Sequence, residues 1–245
     1  ALPIERLKIS IMRKLLMERS CNMEEINGKK LLRGEAALAL AVLINSFGVV
    51  LMLYSGAGIS AISSVPYAFS RVLPKLSLGT WTYIFQGALI LSLMIMRKKF
   101  VPSYLFSFAV GFVFSELLDV HELWINVLPS SLAWRIVYFV ISYVLICIGI
   151  ALSNRCQLPI VPTDLFPREL ADITKIAYPK IKIGFDVTCL AVTAGLTFFC
   201  LGRIDGLGIG TILAAFTMGK GIGIAGDIID KRFYFKSIMS KRQQA

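Results

Sequence analysis

Apolar residues run along this chain in stretches of roughly 20, enough for a helix rising 1.5 Å per residue to cross a hydrocarbon core of about 30 Å. Six such stretches stand out, at about 36 to 54, 78 to 96, 102 to 120, 133 to 153, 183 to 201 and 207 to 229. Two further segments, 56 to 76 and 156 to 181, are moderately apolar but interrupted by proline, glycine and charge. Neither can cross lipid as an unbroken helix without unsatisfied backbone groups, so each is expected to be a broken or re-entrant element. Ahead of the first span, Ile4, Leu7, Ile11 and Leu15 recur at helical spacing, with Arg6, Lys8, Arg13, Lys14 and Arg19 on other faces. Residues 1–30 read either as a basic cytoplasmic tail or as a short helix lying on an anionic membrane surface. The first long apolar run begins only near Ala36 and lacks a following small-residue cleavage site, so it reads as a span rather than a secretory signal.

Composition agrees with lipid as the solvent. Of 245 residues, 56% are hydrophobic and 17% charged, where soluble domains carry about a quarter charged residues. The net charge of +11 raises the idea of a nucleic-acid partner. The basic residues instead sit between the apolar stretches, so no nucleic acid is expected and the bilayer is the first partner. With the N-terminus inside, twenty-one Lys and Arg fall on the inner side and only Arg71, Lys75, Arg135 and Arg203 on the outer, leaving Lys220 within a span. That bias places both termini, including the basic tail 231–245, in the cytoplasm. Cys147, Cys189 and Cys200 fall inside apolar runs and no C-x-x-C occurs, so neither a disulfide framework nor a metal site is expected, and no cofactor.

The halves of the sequence repeat at a separation of about a hundred residues. Gly48 matches Gly149, Pro66 matches Pro167, and Pro74-Lys75-Leu76-Ser77-Leu78-Gly79 reads against Pro179-Lys180-Ile181-Lys182-Ile183-Gly184; Gly111 and Asp119 match Gly219 and Asp227. Each half holds three crossings, an odd number, so the halves enter the membrane with opposite orientation. The expected fold is all-α and polytopic: a membrane domain over 31–230, made of two inverted three-helix repeats at 36–120 and 133–229. Many secondary transporters use this plan, with the site near the midplane between the halves.

The end of the first span, the Gly58-Ile59-Ser60-Ala61-Ile62-Ser63-Ser64-Val65-Pro66 segment, and the Leu78-Gly79-Thr80-Trp81, Ile183-Gly184-Phe185-Asp186 and Gly208-Ile209-Gly210-Thr211 starts together resemble the YczE/YyaS/YitT-type bacterial integral membrane proteins. The resemblance covers roughly residues 30 to 230 and implies a bacterial cytoplasmic membrane; it brings little function, because that family is itself largely uncharacterised. Such relatives tend to carry a Ser-Pro-aromatic-Asp turn in the first broken segment. Here Ser60-Ala61-Ile62-Ser63 stands in its place while Pro162-Thr163-Asp164 keeps the Pro and Asp, a departure that weakens any role for a first-half carboxylate.

Ionised groups inside spans cost about 2.5–3.5 kcal/mol each and need a reason to be there. The candidates for a substrate site are Lys220, Glu116, Asp186 and Asp227. Measured along the helix axes, the Lys220 ammonium and Glu116 arrive at a similar depth, so they read as a pair serving a binding or proton-linked site, or as a structural ion pair. Asp186 and Asp227 lie within a turn or two of the inner surface, where they flank a cytoplasmic gate or are merely solvated. Asn45 and Gln86 read as interhelical packing. Thr211, Ala215, Gly219, Gly223 and Asp227 form a small-residue stripe that lets another helix approach. His121 is read as lying with Asp119 and Glu122 in an outer loop.

The leading functional reading is a small-solute permease. The alternative is a substrate-binding or accessory membrane subunit working with a separate energising partner. Catalysis is not expected, because no nucleophile with a nearby base and no metal-ligand spacing appears. A homodimer or a partner membrane subunit stays open, and the solute is not legible.

Overall fold

The computed structural model describes residues 29–236, so the expected N-terminal tail or surface helix and the end of the C-terminal tail lie outside the described residues. Among the described residues, six helices are long and apolar enough to cross a bilayer: α1 (Gly34–Tyr54), α3 (Leu78–Arg97), α4 (Pro102–Trp124), α5 (Leu132–Ser153), α7 (Tyr178–Leu201) and α8 (Ile209–Arg232). The chain is a multi-pass membrane protein. The two interrupted segments each hold one short helix, α2 (Ala61–Val72) and α6 (Pro162–Thr174). At 12 and 13 residues they are far too short to span. Both carry proline at the sixth residue, Pro66 and Pro167, where its ring removes one helical hydrogen bond.

Two boundaries differ from the sequence reading. Helix α7 starts at Tyr178, a turn early, because Pro179 falls in the first turn, where the missing N–H costs nothing. Helix α4 runs on to Trp124 and a 3-10 turn at Ile125–Val127, so Asp119, His121 and Glu122 sit on a helix and not in a loop. His121 lies against the rings of Phe47 and Trp124, at 5.3 and 5.9 Å between centroids. A short parallel pair of strands, β1 (Lys30–Arg33) and β2 (Phe233–Lys236), joins the two described ends. It puts them on one face of the bundle, here called the strand face, as an even number of crossings requires.

The centre is the crossing of α1 and α5. There a Cβ on Gly48 would come within 2.8 Å of Ile146 Cγ1, and one on Gly149 would collide with Asn45 Oδ1. Ile146 follows Asn45 by the same interval as Gly149 follows Gly48, so one shift along the sequence relates the two contacts. Around the crossing the helix contacts come in matched sets: α4 packs on α1 as α8 packs on α5, and α6 packs on α3 as α2 packs on α7. The match fails once. Helix α4 lies along α3, but α8 barely touches α7.

Charges close the strand face. Arg155 Nε and Nη2 both donate to Asp230 at 2.6 Å, tying the end of α5 to α8. Arg97 pairs with Glu169 at 2.6 Å, and the Tyr104 hydroxyl also donates to Glu169, fixing α6 on α3 and α4. At the far face the loop after α1 joins the loop before α8: Gly210 N donates to Ala57 O at 2.9 Å and Ile59 N to Gly206 O at 3.1 Å. Gly58, at φ +115°, is required there, since a Cβ would run into Gly208 N.

Placing a branched side chain at the crossing should be costly. Gly149→Val is expected to lower stability by about 1–3 kcal/mol, as overpacked cores do, seen as a reduced melting temperature in detergent. Gly195→Ala, whose Cβ would meet nothing within 4 Å, should leave it unchanged or raise it.

Candidate functional site

The structure does not bring the expected charged pair together. Lys220, near the middle of α8, and Glu116, on α4, are both exposed, and no ion pair joins them. Asp227 is also exposed, beside the Arg155–Asp230 pair. Of the four candidates only Asp186 is buried, at 7% exposure, and both its oxygens accept from Lys182 Nζ at 2.6 Å.

Asp186 belongs to a polar row. The buried residues of α7 are Asp186, Cys189, Thr193 and Thr197, spaced by three and four residues and so on one side of the helix. The side that a membrane helix turns inward is thus its polar one. Thr193 Oγ1 meets Ser64 Oγ of α2 at 2.8 Å, and Thr197 Oγ1 donates to Thr193 O. At the other end of the row, Phe185 packs on Phe166 of α6 with centroids 4.9 Å apart. This contact brings the first turn of α6 up to α7, where Asp164 feels the charges of Lys182, Arg168 and Asp186.

Helices α2 and α6 separate this row from α3, which offers polar groups of its own. Gln86 is fully buried and neither its Oε1 nor its Nε2 has a partner; the fully buried Ser107 Oγ of α4 has none either. Gln86 Oε1 rests against the bare Cα of Gly111, where Pro162 at the start of α6 also arrives. An amide with a free donor and a free acceptor therefore sits beside the positive end of a helix. Each unpaired buried group costs about 1–3 kcal/mol. Among the described residues, no three His, Cys, Asp or Glu side chains gather as a metal site would need.

Gln86 reads in the sequence as a packing residue; its isolation from partners is visible only in three dimensions. Ser107, Ser64 and Thr193 give no sequence signal alone. The i, i+4 spacing of Lys182 and Asp186 does, and so does the three-four-four spacing of the α7 row.

Fold and site together define a polytopic helical membrane protein with polar groups gathered inside the bundle. A family model described as a family of unknown function, DUF6198, matches residues 32–226, and the chain belongs to that family. No curated protein and no solved structure matches the chain.

Burial pushes the Asp164 carboxyl up to about 6 from its ordinary value near 3.8, against the pull of Lys182 and Arg168. The unfolded chain ionises this group first as pH rises, so the folded state should lose stability between about pH 4 and 6 and stay lower above. The melting temperature of Asp164→Asn should lack that fall, measured from pH 4 to 7 against the parent protein.

Proposed function

We propose that the chain is a small-solute permease of a bacterial cytoplasmic membrane, with both termini inside and no catalytic activity. Its halves, α1 to α4 and α5 to α8, are two inverted repeats, and its site lies where α2, α3, α6 and α7 meet. The proposal extends to kinship between the family and the YczE/YyaS/YitT-type proteins. The observation that carries it is the partnerless Gln86 amide at the start of α6, with the equally partnerless Ser107 one helical turn from Gly111 on α4. A solely structural bundle would gain by replacing such groups with apolar ones.

Support for the inverted plan comes from the matched contacts, the shared sixth-residue proline and the paired glycine contacts at the α1–α5 crossing. The strand face is the cytoplasmic one by its Lys and Arg, and the far face is closed by the joined loops at Ala57–Ile59 and Gly206–Gly210. The solute is small, polar and able to hydrogen-bond an amide. A second reading, a binding or accessory subunit with an energising partner, is favoured by the sparse cover over α7 and α8.

Gln86→Leu should separate stability from function. Relief of an unpaired buried amide is expected to raise stability by up to about 1–3 kcal/mol, while thermal shifts caused by a panel of small polar solutes, and uptake of the responding solute into liposomes, are lost. Unchanged shifts and uptake in the variant would sink the site. Binding by the purified parent protein without uptake would favour the second reading.

A further inference from the structure

Helices α3 and α4 show how a packed pair looks in this fold. Asp119 accepts from Gly79 N at 2.7 Å and from Ser77 Oγ at 2.6 Å, holding α4 to the start of α3. Further along, Tyr83 stacks on Phe108 with centroids 4.3 Å apart. The repeat puts Lys182 where Ser77 stands, Gly184 where Gly79 stands and Asp227 where Asp119 stands. It likewise puts Thr188 at the place of Tyr83 and Phe216 at that of Phe108.

In the second half none of these contacts is made. A Cβ on Gly184, Gly219 or Gly223 would meet nothing within 4 Å, Phe216 is 78% exposed, and Lys182 turns onto Asp186 of its own helix. The bare face of α8 carries Phe216, Gly219, Lys220, Gly223 and Asp227. Lysine and aspartate on a lipid-facing surface are expensive, and a glycine row at helical spacing suits close approach of another helix. The sequence of this face is that of a covered one.

We propose that α7 and α8 close on each other as α3 and α4 do, and that Lys182 leaves Asp186 for Asp227 when they close. The Gly184 N–H is committed inside α7, which starts a turn earlier than α3. The lysine ammonium therefore replaces the backbone cap that Gly79 supplies to Asp119. Closure covers the glycines and brings Lys220, at the place of Phe112, up to α7. It also leaves Asp186 without its lysine at the buried end of the polar row, so the gap and the site share one charge. The inference rests on the repeat equivalence in the proposed function, not on transport.

The test is cross-linking by a short bismaleimide in a cysteine-free background, in the full chain in membranes. Thr188→Cys with Phe216→Cys should give an intramolecular link at a yield comparable with Tyr83→Cys and Phe108→Cys. Lys182→Ala or Asp227→Ala should reduce that yield several-fold, and the exchanged pair Lys182→Asp with Asp227→Lys should restore it. Three results would overturn the proposal: no link while the first-half pair reacts, a link only between two chains, or a yield indifferent to Lys182 and Asp227. If the link behaves as expected but the purified protein moves no solute, the permease reading falls and the closure stands.

Discussion

The close crossing of α1 and α5 is the contact on which the other helices depend. Lipid tails are as apolar as leucine, so helices in a bilayer gain little from burying apolar side chains and associate through tight packing and hydrogen bonds. Gly48 and Gly149 provide that approach at two related points, one against Ile146 and one against Asn45. Helix α1 is the most enclosed of the six as a result. Helix α4 then attaches to α1 and α8 to α5, while α2 and α6 bridge to the helices of the opposite half. An error at the crossing would therefore displace both halves at once.

Polarity inside the bundle is organised around the two short helices. Each is too short to span, and each lies between α3 and α7, which turn toward them Gln86 on one side and the row from Asp186 to Thr197 on the other. The hydroxyls of the row and of Ser64 facing it on α2 are spent on one another or on backbone carbonyls: Ser64 on Ala61 O and Thr193, and Thr197 on Thr193 O. Gln86 and Ser107 are not. Asn45 Oδ1, Ser115 Oγ and Ser153 Oγ are without partners as well, so what sets Gln86 apart is its place against Gly111 and Pro162 at the start of α6.

Most of the spans were legible because twenty-residue apolar runs have few other uses. Pro179 hid the true start of α7, since proline breaks a helix interior but opens a helix well. The strands β1 and β2 are four residues each and pair from opposite ends of the chain, which no local pattern reports. The site was legible along the helix axes and not around them. Depth follows from counting residues, and it set Glu116 level with Lys220; the rotation of each helix follows from packing with its neighbours, and both side chains turn outward. Asp186 stands out in the sequence because its charge is anomalous in a span, and the structure buries it against Lys182, whereas Asp119 is a helix-capping ligand only through a partner forty residues away in α3.

The proposed permease function requires that the groups beside Gln86 be reached from each side of the membrane in turn. It is tested most directly by reacting Ser107→Cys, in a cysteine-free background, with a membrane-impermeant maleimide in right-side-out and in inside-out vesicles. Ser107 is fully buried in this structure. The account predicts slow labelling from both sides, slowed further by the bound solute; labelling from one side only, or from neither, would contradict it.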